Sequence, residues 1–116
     1  MNLDWIKCKG NVWCSLNSVN LQNSHFDDLE GVYIVWHGGD DGATVRVGQG
    51  VIRDRLAAHR SDPEIAAYAD LGLHVTWAAV AASSRDGVEA FLAQRLEPKV
   101  GERFPNRTPI EVNLPW

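Results

Sequence analysis

Apolar and polar positions form their clearest pattern near the middle of the chain. Residues 31–36 combine valine, isoleucine and aromatics, residues 43–47 are rich in valine, and a polar stretch dense in glycine and aspartate separates them. β-branched and aromatic residues favour strands, and the composition of the gap favours a turn. The pattern predicts a β-hairpin whose return strand ends at residues 48–50, where two glycines permit a change of direction.

The second half of the chain shows helical spacing. Ile52 and Leu56 lie four residues apart and therefore share one helical face. Proline fits the first turn of a helix and glycine its end, so Pro63 and Gly72 bound a further helix. The predicted elements are a helix over 52–60, a short helix over 64–71, a strand over 74–81 and a helix through Leu96 that ends before Pro98.

Shorter strand-like runs stand at both ends of the chain, at 12–16, 18–21 and 110–114. The element order is therefore β-β-α-α-β-α with short extra strands at the termini. We expect an α/β (α+β) fold with a small three-stranded central sheet flanked by helices. Because the third long strand follows helices, we expect the sheet to be mixed.

The length of 116 residues predicts a single domain. Within it we distinguish an N-terminal extension (1–30), a core (31–101) and a C-terminal tail (102–116). We expect Trp5 and Trp13 in the extension to pack on the core as a cover.

The net charge of −4 argues against a protein that coats nucleic acid without specificity, since phosphate affinity comes mainly from lysine and arginine. The charge is uneven, however, because residues 31–60 hold four arginines against three aspartates. A local basic site on an acidic body is compatible with a nuclease that contacts DNA mainly near the scissile phosphate.

The two cysteines, Cys8 and Cys14, are too few for a disulfide framework and lack the paired spacing of a zinc site. We expect them to be buried or half-buried thiols in a reducing compartment. The N-terminus has no apolar run of the length that a signal peptide or a membrane span requires, so the expected location is the cytoplasm.

Four sequence features occur in an order that resembles the GIY-YIG nuclease family. They are the motifs Gly31-Val32-Tyr33 and Arg46-Val47-Gly48, followed by Arg55 and Glu89. The resemblance covers roughly residues 31–101. It implies a compact domain with a three-stranded sheet, cleavage of DNA phosphodiester bonds, and one divalent ion, Mg²⁺ or Mn²⁺.

The resemblance also implies roles for individual residues. Tyr33 would hold or deprotonate the attacking water. Arg55 would clamp the phosphate, and His59, four residues later on the same face, would contact the phosphate or the leaving group. Glu89 would bind the metal. The predicted substrate contacts are Arg46, Gly48 and Arg53, of which Arg53 lies on another face of the helix and would touch a backbone phosphate.

The chain departs from the family pattern at two positions. Arg46 stands where the second motif has tyrosine, and Gly101 falls about where the family often has asparagine. Arginine stays protonated and is no base, so Tyr33 would do the base work alone, with Arg46 binding phosphate or lowering the pKa of the phenol.

Glu89 has a second interpretation that needs no metal. With Asp86 as N-cap, Glu89 would be the third residue of a capping box, whereas a box of Ser83 with Asp86 would leave Glu89 free. The sequence alone leaves both open.

The first interpretation of the chain is a metal-dependent endonuclease whose expected partner is DNA. No membrane partner is expected. The alternative is a catalytically impaired module of the same fold that binds nucleic acid or protein. A third interpretation is an unrelated α+β interaction domain whose motif order is coincidental.

Overall fold

The computed structural model describes residues 1–38, 43–101 and 104–116. The predicted hairpin turn over 37–42 lies largely outside these ranges. The strands within them are β1 (Cys14–Ser15), β2 (Glu30–His37), β3 (Thr44–Val51) and β4 (Leu73–Ala79), and the α-helices are α1 (Ile52–Arg60), α2 (Pro63–Ala66) and α3 (Ala82–Leu96).

The four strands form one antiparallel sheet in the order β1-β4-β2-β3. The expectation of an α+β fold is confirmed, and the expectation of a mixed sheet was wrong. The sheet has four strands, three long ones and the two-residue β1, where we expected a three-stranded central sheet with short extra strands at the termini. The connection through α1 and α2 returns the chain to the far side of β2. The two parallel strands, β3 and β4, are therefore separated by β2, to which both run antiparallel. The fourth strand, β1, comes from the N-terminal extension.

The two faces of the sheet carry separate apolar clusters, as the alternation along β2 requires. Tyr33 and Val35 face α1 and the N-terminal extension, whereas Val32 and Ile34 face α3 and the C-terminal tail. Neighbouring residues of one strand thus point to opposite sides. Side chains that belong to one site must meet around the exposed edge of β3.

The helices differ from prediction mainly at their ends. The segment predicted as one helix over 64–71 is α2 followed by a separate 3₁₀ turn, Ala69–Leu71, which ends at Gly72 with φ +81°. Helix α3 begins at Ala82, with Ala81 as N-cap. Asp86 and Glu89 therefore lie inside the helix, and neither proposed capping box forms.

The N-terminal extension is fastened to α1 by two arginines. Arg53 donates to the carbonyls of Leu21 (2.7 Å) and Asn23 (3.1 Å) and pairs with Asp27 (2.7 Å). Arg60 donates to the carbonyls of Leu16 and Val19. Most of residues 16–27 thus wraps over α1 and adds Leu16, Leu21 and Phe26 to the core.

The remaining terminal residues form little regular structure. The runs predicted as strands over 18–21 and 110–114 are turns and extended coil, and only Cys14–Ser15 of the run over 12–16 is a strand. Trp5 nevertheless contacts the tail, because its Nε1 donates to the carbonyl of Asn113 (2.9 Å). None of the described helices has the length and apolar content needed to cross a membrane.

Cys8 and Cys14 form a disulfide bond. The prediction of free thiols was wrong. The physical reason is local, since an antiparallel bridge between Cys8 and Val12 folds the chain back through Gly10 and Asn11, both at positive φ. That turn brings the Cα atoms of the two cysteines to 5.1 Å, within the usual range for a disulfide.

Candidate active site at the edge of strand β3

Tyr33 and Gly48 are direct partners across β2 and β3. A Cβ atom added at Gly48 would lie 2.2 Å from the phenolic oxygen of Tyr33, so only glycine allows the ring to lie flat over β3. The glycine of the second motif therefore fixes the path of the first motif's tyrosine. It is a space requirement for the phenol, whatever else it does for a substrate.

The Tyr33 hydroxyl forms a short hydrogen bond with Nε2 of His59 on α1, and both side chains are buried. Burial, together with the nearby charges of Arg46 and Arg55, lowers the pKa of His59 to about 4. The imidazole is thus neutral near pH 7, and its Nε2 can accept a hydrogen bond from the phenol. The hydrogen bond fixes the orientation of the phenol relative to the imidazole, and both rings are closed off from solvent.

Arg55 lies one turn before His59 on α1 and its side chain is exposed. The stem packs against Gly50, where an added Cβ would be 3.5 Å from both Cγ and Cδ of the arginine. Within the described residues the guanidinium makes no hydrogen bond or ion pair. All five of its N–H donors are therefore available to a ligand such as a phosphate.

The side chain of Arg46 lies where a side chain at position 101 would be. Residues 99 and 100 pair with the backbone of Thr44 and Val45, which places Gly101 beside the Arg46 side chain. A Cβ at position 101 would lie 2.5 Å from Nη1 of Arg46, and Gly101 has φ +105°. A side chain at position 101 would therefore require the Arg46 guanidinium to move. The buried Nε of Arg46 has no hydrogen-bond partner in the described part of the chain.

Glu89 reaches the same edge from α3 on the other face of the sheet. The amide nitrogen of Gln49 donates to Glu89 Oε2 (2.9 Å) and to Asp86 Oδ1 (2.7 Å). Burial raises the pKa of Glu89, while the Gln49 hydrogen bond and the charges of Arg46 and Arg55 act in the opposite direction. Gln49 thus ties the two carboxylates of one helical turn to β3.

Sequence reasoning missed Gln49 and Asp86 as members of the site. The signal for Gln49 was its place next to Gly48, because alternation sends its side chain to the α3 face. Asp86 lies one turn before Glu89, which puts both carboxylates on the same helical face. That spacing was interpreted as a capping box, and the start of α3 at Ala82 excludes it.

The contacts of residues 48–50 on β3 bring these groups together: Gly48 lies opposite Tyr33, Gln49 donates a hydrogen bond to Glu89, and Gly50 packs against Arg55. The charges of Arg46 and Arg55 act both on His59, from α1, and on Glu89, from α3. Residues from four elements, far apart in the chain, therefore converge on the edge of β3. Of the predicted site residues, the structure brings together Tyr33, Arg46, Gly48, Arg55, His59 and Glu89.

Arg53 is the predicted site residue that lies elsewhere. Its guanidinium is engaged by the N-terminal extension through three contacts, among them the Asp27 ion pair. We assign Arg53 to the fold and not to substrate binding, contrary to the sequence prediction. The spacing of two residues from Arg55 already places it on another face of α1.

Asp86 and Glu89 are the carboxylates at the edge of β3 that could hold a divalent ion. No group of three or more histidine, cysteine, aspartate or glutamate side chains lies within ligand distance in residues 1–38, 43–101 and 104–116. Magnesium keeps most of its water and needs only one or two protein carboxylates. Glu89 and Asp86 supply such a pair, oriented by the same amide.

No family model, curated protein or solved structure matches the chain. The interpretation of the site therefore rests on the motif order in the sequence and on the geometry at the edge of β3.

Proposed function

We propose that the protein is a metal-dependent endonuclease that hydrolyses DNA phosphodiester bonds through a GIY-YIG-type site. The observation that carries the proposal is the buried hydrogen bond between Tyr33 and His59. The positive charges of Arg46 and Arg55 lie close enough to act both on this histidine and on the carboxyl of Glu89. The order β2-β3-α1-α2-β4-α3 supports it, since it agrees with the β-β-α-α-β-α order of the family.

Tyr33 and His59 supply the base in this mechanism. Water attacks the phosphorus and gives its proton to the phenolic oxygen, while the phenolic proton passes to Nε2 of His59. His59 is neutral near pH 7 but a weak base, because burial, Arg46 and Arg55 lower its pKa to about 4. The negative charge of a bound phosphate would offset the two arginines and raise the basicity of the imidazole as the transfer occurs. A general base of this kind contributes typically a factor of about 10²–10⁴ to the rate.

Arg55 and Arg46 bind the phosphate in this mechanism. The free guanidinium of Arg55 can donate two parallel hydrogen bonds to non-bridging oxygens and stabilise the charge of the pentacoordinate transition state. Arg46, which replaces the tyrosine of the second motif, adds a second positive charge. Its Nε is buried and has no hydrogen-bond partner among the described residues, so the outer nitrogens of the guanidinium would make the phosphate contact.

Glu89, with Asp86 beside it, would hold Mg²⁺ or Mn²⁺, which screens negative charge on the leaving oxygen. Gln49 fixes both carboxylates through the hydrogen bonds of its amide. The divalent ion and the two arginines together balance the charge of the substrate.

The test is nicking of supercoiled plasmid DNA with Mg²⁺ or Mn²⁺. We expect nicking by the natural sequence, and its loss in Glu89→Ala and in Tyr33→Phe. The matched controls are Glu64→Ala, an exposed glutamate on α2, and Tyr68→Phe, a tyrosine outside the site, and both should nick normally. Absence of nicking by the folded natural protein would refute the enzyme.

A second candidate is a binding module that retains DNA without cleaving it. The departures at Arg46 and Gly101 favour it, because an added guanidinium strengthens phosphate binding while the usual polar groups are gone. Retention of DNA that Arg46→Ala and Arg55→Ala abolish, without nicking, would establish the module. If the protein neither binds nor nicks DNA, the remaining interpretation is the unrelated interaction domain.

The proposed location is the cytoplasm, where a DNA substrate is accessible. The Cys8–Cys14 disulfide argues the other way, because such bonds persist mainly in oxidising compartments. Cell fractionation with alkylation of free thiols in the intact cell decides between them.

A further inference from the structure

A cleft of about 620 Å³ lies between the N-terminal extension and Trp77 of β4. This volume is in the range of small-molecule sites. None of the residues assigned to the nuclease site lines it. The cleft is therefore a separate feature of the molecule, built from residues that the proposed catalytic mechanism does not use.

The inside of the cleft is aromatic. Phe26 and Trp77 form its floor with ring centroids 5.0 Å apart, and the half-buried Trp13 forms a wall. The indole Nε1 of Trp77 donates to Nε2 of His25 (3.0 Å), which holds a fourth ring at the rim. Phe26 and Trp77 are each only 2% exposed, so a planar aromatic ligand would contact mainly the half-buried Trp13 and the exposed His25.

The mouth of the cleft is positively charged. Lys7 and Lys9 are exposed, and no carboxylate stands among the described residues that line the cleft. The ammonium of Lys7 lies 4.5 Å from the ring centroid of Trp13, and neither lysine makes an ion pair with another described residue. On a chain of net charge −4 this local excess of cations selects an anion.

Two amide side chains at the rim are oriented as donors. The Oδ1 atoms of Asn20 and Asn23 accept hydrogen bonds from the backbone N–H groups of Gln22 (3.0 Å) and His25 (2.8 Å). Their oxygens are thus occupied, and their Nδ2 groups remain to donate. Ring nitrogens and carbonyls of a nucleobase are acceptors of matching kind.

From this combination we infer that the cleft binds a nucleotide. The base lies against Trp13 and His25, its acceptors meet the asparagine amides, and the phosphate of the nucleotide meets Lys7 and Lys9. The ligand is either a free mononucleotide or one nucleotide of a single strand, since both present a base joined to a phosphate. The inference does not depend on the proposed nuclease activity.

The test uses adenosine 5′-monophosphate, adenosine and ribose 5-phosphate as probes, without divalent metal, on the Glu89→Ala variant so that no cleavage interferes. Binding is followed by isothermal titration and by the NMR signal of the Trp77 indole N–H. We expect the complete nucleotide to bind at least about tenfold more tightly than either fragment, and the Trp77 signal to shift. A short single-stranded oligonucleotide, titrated in the same way, distinguishes a strand from a free nucleotide by which of the two binds more tightly.

Charge reversal provides the control. Lys7→Glu combined with Lys9→Glu should weaken binding of the mononucleotide and of the oligonucleotide by about tenfold or more, because charge-assisted contacts are lost. Arg95→Glu, the same change of charge at an exposed position of α3, should leave it unchanged. Nucleotide binding no tighter than that of ribose 5-phosphate, or binding insensitive to the two lysines, would overturn the inference. Loss of nicking in the plasmid assay would not affect it.

Discussion

A phenol and an imidazole share a buried hydrogen bond at the centre of the proposed site. Tyr33 reaches His59 only because its cross-strand partner, Gly48, lacks a side chain. The burial of both rings keeps the imidazole neutral, and the positive charges of Arg46 and Arg55 add to that effect. A neutral acceptor next to a phenol is the arrangement that allows tyrosine to act as a base.

The lowered pKa of His59 predicts a dependence of stability on pH. The unfolded chain takes up a proton at about 6.5, whereas the folded protein resists it down to about 4. Between these values only the unfolded state is protonated, so the free energy of unfolding falls as the pH falls. We expect His59 to account for a loss of up to about 3 kcal/mol across this window.

Urea unfolding between pH 7 and pH 4, for the natural protein and for His59→Gln, measures the effect. Glutamine accepts the Tyr33 hydrogen bond but does not titrate, so the difference between the two curves isolates the histidine. Glu89, whose pKa is raised, contributes with the opposite sign and cancels in that difference. Parallel curves would show that His59 is not held neutral by the fold.

The contact between Arg46 and Gly101 predicts non-additive effects of mutation. Gly101→Asn alone places a Cβ against the guanidinium and strains a backbone at φ +105°, so we expect it to destabilise the protein by about 1–3 kcal/mol. Adding Arg46→Tyr removes the clash but not the backbone strain. A double-mutant cycle by urea unfolding should give a coupling of at least about 0.5 kcal/mol. Strict additivity would mean that the two family departures are independent.

At the scale of elements, α1 serves two purposes from two faces. Arg55 and His59 face the site, while Arg53 and Arg60 fasten the N-terminal extension. Helical spacing places the two pairs on different faces of α1, and this separation was predictable from the sequence. The partners of Arg53 and Arg60 were not, because backbone carbonyls in residues 16–23 leave no pattern in the side chains.

Arg60→Ala therefore tests the structural face of α1. It removes two hydrogen bonds between a charged group and carbonyl oxygens, those of Leu16 and Val19, and we expect a loss of about 2 kcal/mol in the free energy of unfolding. Amide hydrogen exchange should quicken in residues 14–27. The exposed Arg95→Ala on α3 is the control. Unchanged stability and unchanged hydrogen exchange in Arg60→Ala would contradict the claim that this arginine fastens the N-terminal extension to α1.

The regular elements were predictable from the sequence to within a few residues because periodicity reports burial directly. The hairpin strands, α1, β4 and the end of α3 all follow apolar spacing. The start of α3 was missed because Ala81 caps it with no side-chain hydrogen bond and therefore leaves no capping residue to recognise. The sheet topology was missed because it depends on where a connection crosses, which local patterns do not encode.

At the scale of the molecule, the Cys8–Cys14 bond closes a loop of six residues at the edge of the sheet and beside the proposed nucleotide cleft. Replacing both cysteines by serine should lower the free energy of unfolding by about 2 kcal/mol, since it restores freedom to the unfolded chain. Urea unfolding with and without a dithiol reductant measures this. The double variant should be insensitive to the reductant. A natural protein that is equally insensitive would contradict the disulfide.

The acidic molecule concentrates positive charge in two places, the arginines at the edge of β3 and the lysines at the cleft. Phosphate recognition by these few groups is local, so binding should weaken only gradually as the salt concentration rises. The net charge of the sequence does not reveal this arrangement. Which cations remain available to a ligand depends on the fold, and the fold engages Arg53 and Arg60 in internal hydrogen bonds.

Two arginines of helix α1 provide the sharpest test of a phosphodiester site at the edge of β3. The rate of plasmid nicking with Mg²⁺ is determined for Arg55→Ala and Arg53→Ala at a temperature where circular dichroism shows both variants folded. The account predicts that Arg55→Ala loses about 100-fold or more in rate, because a transition-state contact is gone, while Arg53→Ala nicks at close to the natural rate. Equal losses, or retained nicking in Arg55→Ala, would contradict a phosphodiester site at the edge of β3.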